Sequence, residues 1–175
     1  MTRSPDPIGI FYAAHERLRR GCEAIRVFCE DPDLWARRDY AEPLYRYFAY
    51  ELPLVFADEE EHLMPALARH LGGDPCFEEI AGRIAIEHAR GRCLGPDFLR
   101  GLGTLVRGGR IADAYRFSTR GLALARTSKA HADFEDREVL PLARRFLSAQ
   151  DREKLARSMR CLHRHAPAPM EALAV

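Results

Sequence analysis

The chain has 175 residues, with 27 basic and 26 acidic side chains and a formal net charge of +1, a length that allows one domain with a well-buried core and makes two cramped. So even a balance leaves no overall field to draw in nucleic acid or an anionic membrane surface. No apolar run approaches the ~18–20 residues that span a bilayer, and Met1–Arg20 lacks the apolar segment and small-residue cleavage site of a signal peptide, so a cytoplasmic protein is expected.

Strand signals are nearly absent, and the apolar residues recur at three and four, the period of an amphipathic helix. Asp6 and Pro7 read as N-cap and first-turn residues of a helix whose stripe is Ile8, Phe11, His15, Leu18, Cys22, Ile25 and Cys29. It should stop at Glu30-Asp31-Pro32, because the position before a proline disfavours helical dihedrals. A second helix starts between Tyr40 and Pro43 and turns Leu44, Phe48, Leu52, Val55, Glu59, Leu63 and Ala66 inward before Gly72-Gly73. Pro53 and Pro65 should bend or divide it. Asp74-Pro75 opens a third helix with Phe77, Ile80, Ile84 and His88 on its stripe, broken at Leu94-Gly95-Pro96 and followed by a weak helical piece over 98–109.

The fourth and longest helix runs from about Ile111 to Leu147, with Phe117, Leu124, His131, Glu135, Val139 and Leu142 on one side. Ser148 caps a short terminal helix that ends near Cys161. Four amphipathic helices on short connections imply an all-α, antiparallel up-down four-helix bundle with a short extra C-terminal helix. Residues 1–162 form the expected domain, and 163–175, with two prolines and little periodicity, a flexible tail. No internal repeat is evident.

Five cysteines at wide spacings, without a C-x-x-C pair, argue against a disulfide framework and a zinc ribbon. Cys22 and Cys29 read as small buried hydrophobes.

Each of the four stripes is broken by His or Glu: His15, Glu59, His88, and His131 with Glu135. Taken singly, such a His is more often a hydrogen-bonded core residue, and such a Glu a solvated one. Taken jointly, three imidazoles and two carboxylates converging from four helices are ligand types that iron, manganese or zinc accept, and bundle cores are where such sites are built. His131 and Glu135, four apart, lie on one helix face. A carboxylate has two oxygens and can bridge two ions, so Glu59 and Glu135 on different helices could hold a dinuclear centre.

With these residues in place the chain resembles the hemerythrin-like, cation-binding HHE family, whose pattern is a His on the first helix, H-x-x-x-E on the second, a His on the third and H-x-x-x-E on the fourth. EHAR (Glu87–Arg90) and HADFEDREVLPLA (His131–Ala143) follow it closely, and ELPLVFADEEEHLMPAL (Glu51–Leu67) shares its character. The resemblance implies one metal held by His88, His131 and the two bridging glutamates, and a second held by His15 and those bridges. Val55 stands where the family's second-helix histidine would be, Phe56 where some members have a carboxylate, and Ile84 where some have a further histidine, so these three line an apolar pocket. His62 is a candidate substitute ligand, since Glu59 and His62 have the i, i+3 spacing of ferritin-like di-iron sites. His70, His163 and His165 are simplest as surface residues.

The implied cofactor is iron, two ions per chain, with zinc or manganese as alternatives, and the implied partner is dioxygen or another diatomic ligand, for carriage, sensing or iron handling. Two alternatives remain: an enzyme of the same fold acting on peroxide or nitric oxide or in iron-centre repair, and a metal-free bundle with a degenerate site that serves as an interaction protein.

Overall fold

A computed structural model of the protein describes residues 6–163. Among these residues there is no strand, and the fold is all-α. In chain order the helices are α1 (Pro7–Glu30), α2 (Arg38–Arg46), α3 (Leu52–Asp58), α4 (Met64–Leu71), α5 (Pro75–Val106), α6 (Ala114–Phe134), α7 (Leu140–Phe146) and α8 (Ala149–His163). Three π-helical turns, Tyr47–Glu51, Glu59–Leu63 and Glu135–Val139, join α2 to α3, α3 to α4 and α6 to α7. The residues at these junctions keep right-handed helical dihedrals, so 38–71 and 114–146 are continuous rods. Residues 164–175, which include most of the expected tail and His165, lie outside the described residues.

Local chemistry sets the ends. The Asp6 carboxylate accepts from the Ile8 backbone N–H at 3.3 Å, with Pro7 opening α1, and the helix stops before Pro32. Asp74 accepts from the Cys76 N–H at 2.8 Å to start α5, after a turn at Gly73 whose φ of 88° suits glycine. Asp113 accepts from the Arg116 N–H at 2.9 Å, which places the start of α6 at Ala114, three residues later than the periodicity implied.

A second correction concerns Leu94-Gly95-Pro96. No break occurs there: α5 runs unbroken from Pro75 to Val106 with Pro96 inside it. Gly95 has no Cβ to collide with the proline ring. Phe77, Ile84 and His88 before the proline and Phe98, Leu102 and Leu105 after it are all buried. That burial outweighs the ~3 kcal/mol cost of an interior proline. The division expected at Pro53 and Pro65 takes the form of π turns ending two residues ahead of each.

Helix α1 packs along α6, α5 along both α6 and α2, α4 on α7, and α8 on α1 and α3. The core falls into two apolar clusters. One gathers Leu18, Ile25, Phe28, Phe48, Phe98 and Leu102, and the other Ile8, Phe11, Leu63, Leu67, Phe77 and Leu140. On every rod the polar interruption sits in sequence between members of the two: His15 between Phe11 and Leu18, Glu59 between Leu52 and Leu63, His88 between Ile84 and Phe98, and His131 with Glu135 between Leu124 and Val139. A polar layer therefore divides the core. Cys22 and Cys29 are free and buried in the first cluster, and burial pushes both thiols up to about 12, so they act as small hydrophobes. No described helix is long and apolar enough to cross a membrane.

Gly121 lets α6 pack tightly against α1 and α5, since a Cβ there would stand 2.5 Å from Cys29 Sγ and 2.6 Å from Phe98 Cε2. Gly121→Ala is expected to lower stability by about 1–3 kcal/mol through overpacking. A urea titration followed by circular dichroism measures it, and an unchanged midpoint would contradict this packing.

Candidate metal centre

The polar layer brings together four of the five expected ligands most tightly. Glu59, His88, His131 and Glu135 are buried and can each place one donor atom within 4.8 Å of the other three. His15, also buried, joins them by its Nε2, 3.0 Å from Glu135 Oε2 and 3.5 Å from Glu59 Oε1. His62 does not join. It lines a polar cleft with Arg69 and Asp151 and is absent from the four-residue group. Glu59 and His62 lie in a π turn, whose larger number of residues per turn leaves i+3 well short of a full revolution. His70 lies 3.0 Å from Asp151 near the surface, and His163 ends α8. Val55 and Ile84 are buried, and Phe56 stacks on His88 with ring centroids 4.3 Å apart.

Both glutamates open a π turn. The N–H of Met64 reaches back five residues to the Glu59 carbonyl, and that of Leu140 to the Glu135 carbonyl. A proline follows each glutamate by six residues, at Pro65 and Pro141. Lacking an N–H and crowding the carbonyl four residues back, proline favours an opening of the backbone there. The Glu-x5-Pro pattern is thus a sequence signal for these irregular turns.

Each imidazole is held from outside by a carboxylate that an arginine holds in turn. The Nδ1–H of His15 donates to Asp136 Oδ1 at 2.6 Å, and Asp136 pairs with Arg19. His88 Nδ1–H donates to Glu60 Oε1 at 2.6 Å, which also accepts from Arg92 Nη1 at 2.7 Å. His131 Nδ1–H donates to Glu87 Oε2 at 3.1 Å, and Arg83 Nε donates to Glu87 Oε1 at 2.8 Å. An ionised carboxylate only accepts, so these contacts fix each Nδ1 as a donor and turn each Nε2 inward, the usual support of a metal-binding histidine. Glu60, Glu87 and Asp136 escaped the sequence reading because each occupies a polar face. Their signal was adjacency, since each directly neighbours a core Glu or His.

The inner charges are unbalanced. Glu59 Oε2 and both oxygens of Glu135 have no hydrogen-bond partner although fully buried. His88 Nε2 is 3.1 Å from Glu59 Oε2, close enough for attraction but not aligned as a hydrogen bond. Two ring nitrogens, His88 Nε2 and His131 Nε2, face each other at 3.1 Å. Two nitrogens ligating one ion at ~2.1 Å would be separated by about that distance. Burial works against a charged His15, yet Glu135 and Glu59 outweigh it and push the imidazole up to about 10. His131 is pushed up to about 10 in the same way, burial being overcome by Glu59 and Glu87. Burial and the negative charge of Glu59 push Glu135 up, while the three imidazoles overcome burial and hold Glu59 well below the usual carboxylate range. In this state protons do the neutralising that a cation can do.

Residues 6–143 match the hemerythrin HHE cation-binding domain. The chain belongs to that family. No curated protein and no solved structure matches it. The hemerythrin match and the cluster of Glu59, His88, His131 and Glu135 agree on a protein able to hold a metal.

Two outcomes test this site. Glu60→Gln and Asp136→Asn are each expected to weaken cation binding by roughly 10–100-fold with unchanged helicity, as read by competition with a chromophoric chelator. Because a cation must displace protons from histidines held up near 10, its affinity is expected to rise from pH 6 to pH 8, by up to about tenfold per unit for each proton released. A pH-independent affinity would contradict the arrangement.

Proposed function

We propose that the polar layer holds a di-iron centre that binds dioxygen or a related diatomic ligand. In this reading Glu59, His88, His131 and Glu135 hold one ion. His15 holds a second through the carboxylates it already touches. The observation that carries it is the set of buried glutamate oxygens without hydrogen-bond partners, Glu59 Oε2 with Glu135 Oε1 and Oε2, beside inward-facing imidazole nitrogens. Fully buried carboxylates are costly unless a cation or proton compensates them. Zinc or manganese would suit the same donors, so metal identity is part of the test.

The finer architecture belongs to this reading. The rods 7–30, 38–71, 75–106 and 114–146 make an antiparallel up-down bundle, with α8 as the extra helix. Short connections and the contacts of α1, α5 and α6 support it. Iron bound here supplies reversible binding and reduction of a small ligand. The chain's own residues do the rest. Glu59 and Glu135 would hold the ions, the three Arg-carboxylate relays keep the imidazoles oriented, and the buried Val55 and Ile84, with Phe56 stacked on His88, would keep the surroundings apolar. Val55 in place of an imidazole leaves the position beside His15 with fewer protein ligands, which is where an external ligand would enter.

Protein purified from iron-supplemented cells is expected to contain between one and two irons per chain and to show oxygen-dependent near-ultraviolet absorption. Glu135→Ala is expected to abolish both and to lower the melting temperature of the loaded protein. Less than about a tenth of an equivalent of any divalent metal, with His131→Ala and Glu135→Ala at or above the wild-type melting temperature, would overturn the proposal.

A further inference from the structure

We infer that the protein has a second binding site, an apolar cleft between the second rod and α5 that takes a small, uncharged, ring-bearing organic molecule. The cleft has a volume of about 350 Å³. An apolar cavity of ~150 Å³ holds benzene, and small-molecule pockets begin near ~300 Å³, so this space suits a molecule of two fused rings. It is too small for a docked helix.

The lining sets the chemistry. Phe48, Leu52 and Phe56 form one wall, Pro96 and Leu99 the other, and Leu124 closes the floor. Three charged residues line it, Glu60, Glu61 and Arg92. Glu60 and Arg92 already neutralise each other at 2.7 Å, which leaves Glu61 to repel an anion. Ser128, buried, is the single uncharged polar side chain of the lining and can meet one hydroxyl or carbonyl of the ligand.

Two glycines keep the space open. Gly91 and Gly95 lie one turn apart inside α5, where glycine costs helix stability. Packing against the neighbouring helices does not require them. A Cβ at Gly95 would meet only Leu99 Cδ1 at 4.0 Å, and one at Gly91 only Phe56 Cε2 at 3.6 Å. At Gly101, by contrast, a Cβ would collide with the Phe117 ring at 2.4 Å. The missing side chain at 91 therefore leaves volume that no neighbouring helix fills, and Gly95, which also spares the Pro96 ring a Cβ, widens it.

The cleft also adjoins the polar layer. Phe56 lines it and stacks on His88, and Glu60 lines it and accepts the His88 Nδ1–H. An occupant is felt at His88 through one ring, with or without a metal in the cluster.

The test uses the full chain stripped of metal by a chelator, so its outcome is separate from that of the iron assignment. Calorimetric titration with naphthol is expected to show saturable one-to-one binding and to shift the His88 ring resonances. Naphthoate, the anion of matching size, should bind at least about tenfold more weakly. Gly91→Leu should weaken naphthol binding by at least about tenfold while keeping or raising the melting temperature, since it fills the cleft and improves helix propensity at a position that no proline follows. Ser128→Ala should weaken naphthol and leave naphthalene unchanged. Failure of naphthol to saturate, equal binding by Gly91→Leu or by naphthoate, or binding that leaves His88 unmoved would each overturn the inference.

Discussion

Two glutamates buried in the middle of a helical core, Glu59 and Glu135, are the constraint on which the rest of this structure depends. Neither has any exposure, and ionised carboxylates in such a place demand compensation. Compensation arrives in layers. Imidazoles of His15, His88 and His131 meet the glutamates, carboxylates of Asp136, Glu60 and Glu87 hold those imidazoles, and Arg19, Arg92 and Arg83 hold the carboxylates. The sign of charge alternates outward until it reaches solvent. A core arranged this way is able to take a cation beside its central glutamates, in agreement with the family's cation-binding description.

The same constraint explains the irregular helices. A polar layer that crosses all four rods splits the apolar core into two clusters, and each rod must turn its polar side chain to one level while keeping apolar neighbours packed above and below. The two glutamates meet this demand at π turns, each followed by a proline two residues after the turn ends. The added residue per turn rotates the chain locally and separates the register of the two clusters. In the 59–63 turn it also carries His62 away from the cluster and onto the face that meets α8. Helix α5 bears no π turn, and its proline is tolerated beside Gly95 at the edge of the apolar cleft. Phe56 lines that cleft and stacks on His88, so the cleft adjoins the polar layer.

Much of this was legible in the amino-acid order because helical periodicity depends on nearest neighbours along one rod. The stripes Ile8 to Cys29 and Leu44 to Ala66 are buried throughout, and the four polar interruptions fall at one level. The identity of the central His and Glu residues follows from their place within those stripes. Other features depend on contacts that no local pattern encodes. Whether Gly95-Pro96 breaks a helix is decided by burial on both sides of it, and the start of α6 is decided by which carboxylate reaches a free N–H. The partners Glu60, Glu87 and Asp136 read as surface residues in sequence and become the outer support of the site once a neighbouring rod presents an imidazole to each.

The sequence by itself therefore determined the helical class, the inward face of each rod and the five residues on which a cation site could be built, since spacing along a helix sets which side chains share a face. Only the tertiary structure decided that Glu59, His88, His131 and Glu135 converge most tightly, that His62 is left outside, that three Arg-carboxylate pairs orient the imidazoles, and that a cleft opens behind Phe56. These are distances between rods, and they arise from how four stripes of unequal side-chain volume pack against one another rather than from any spacing along the chain.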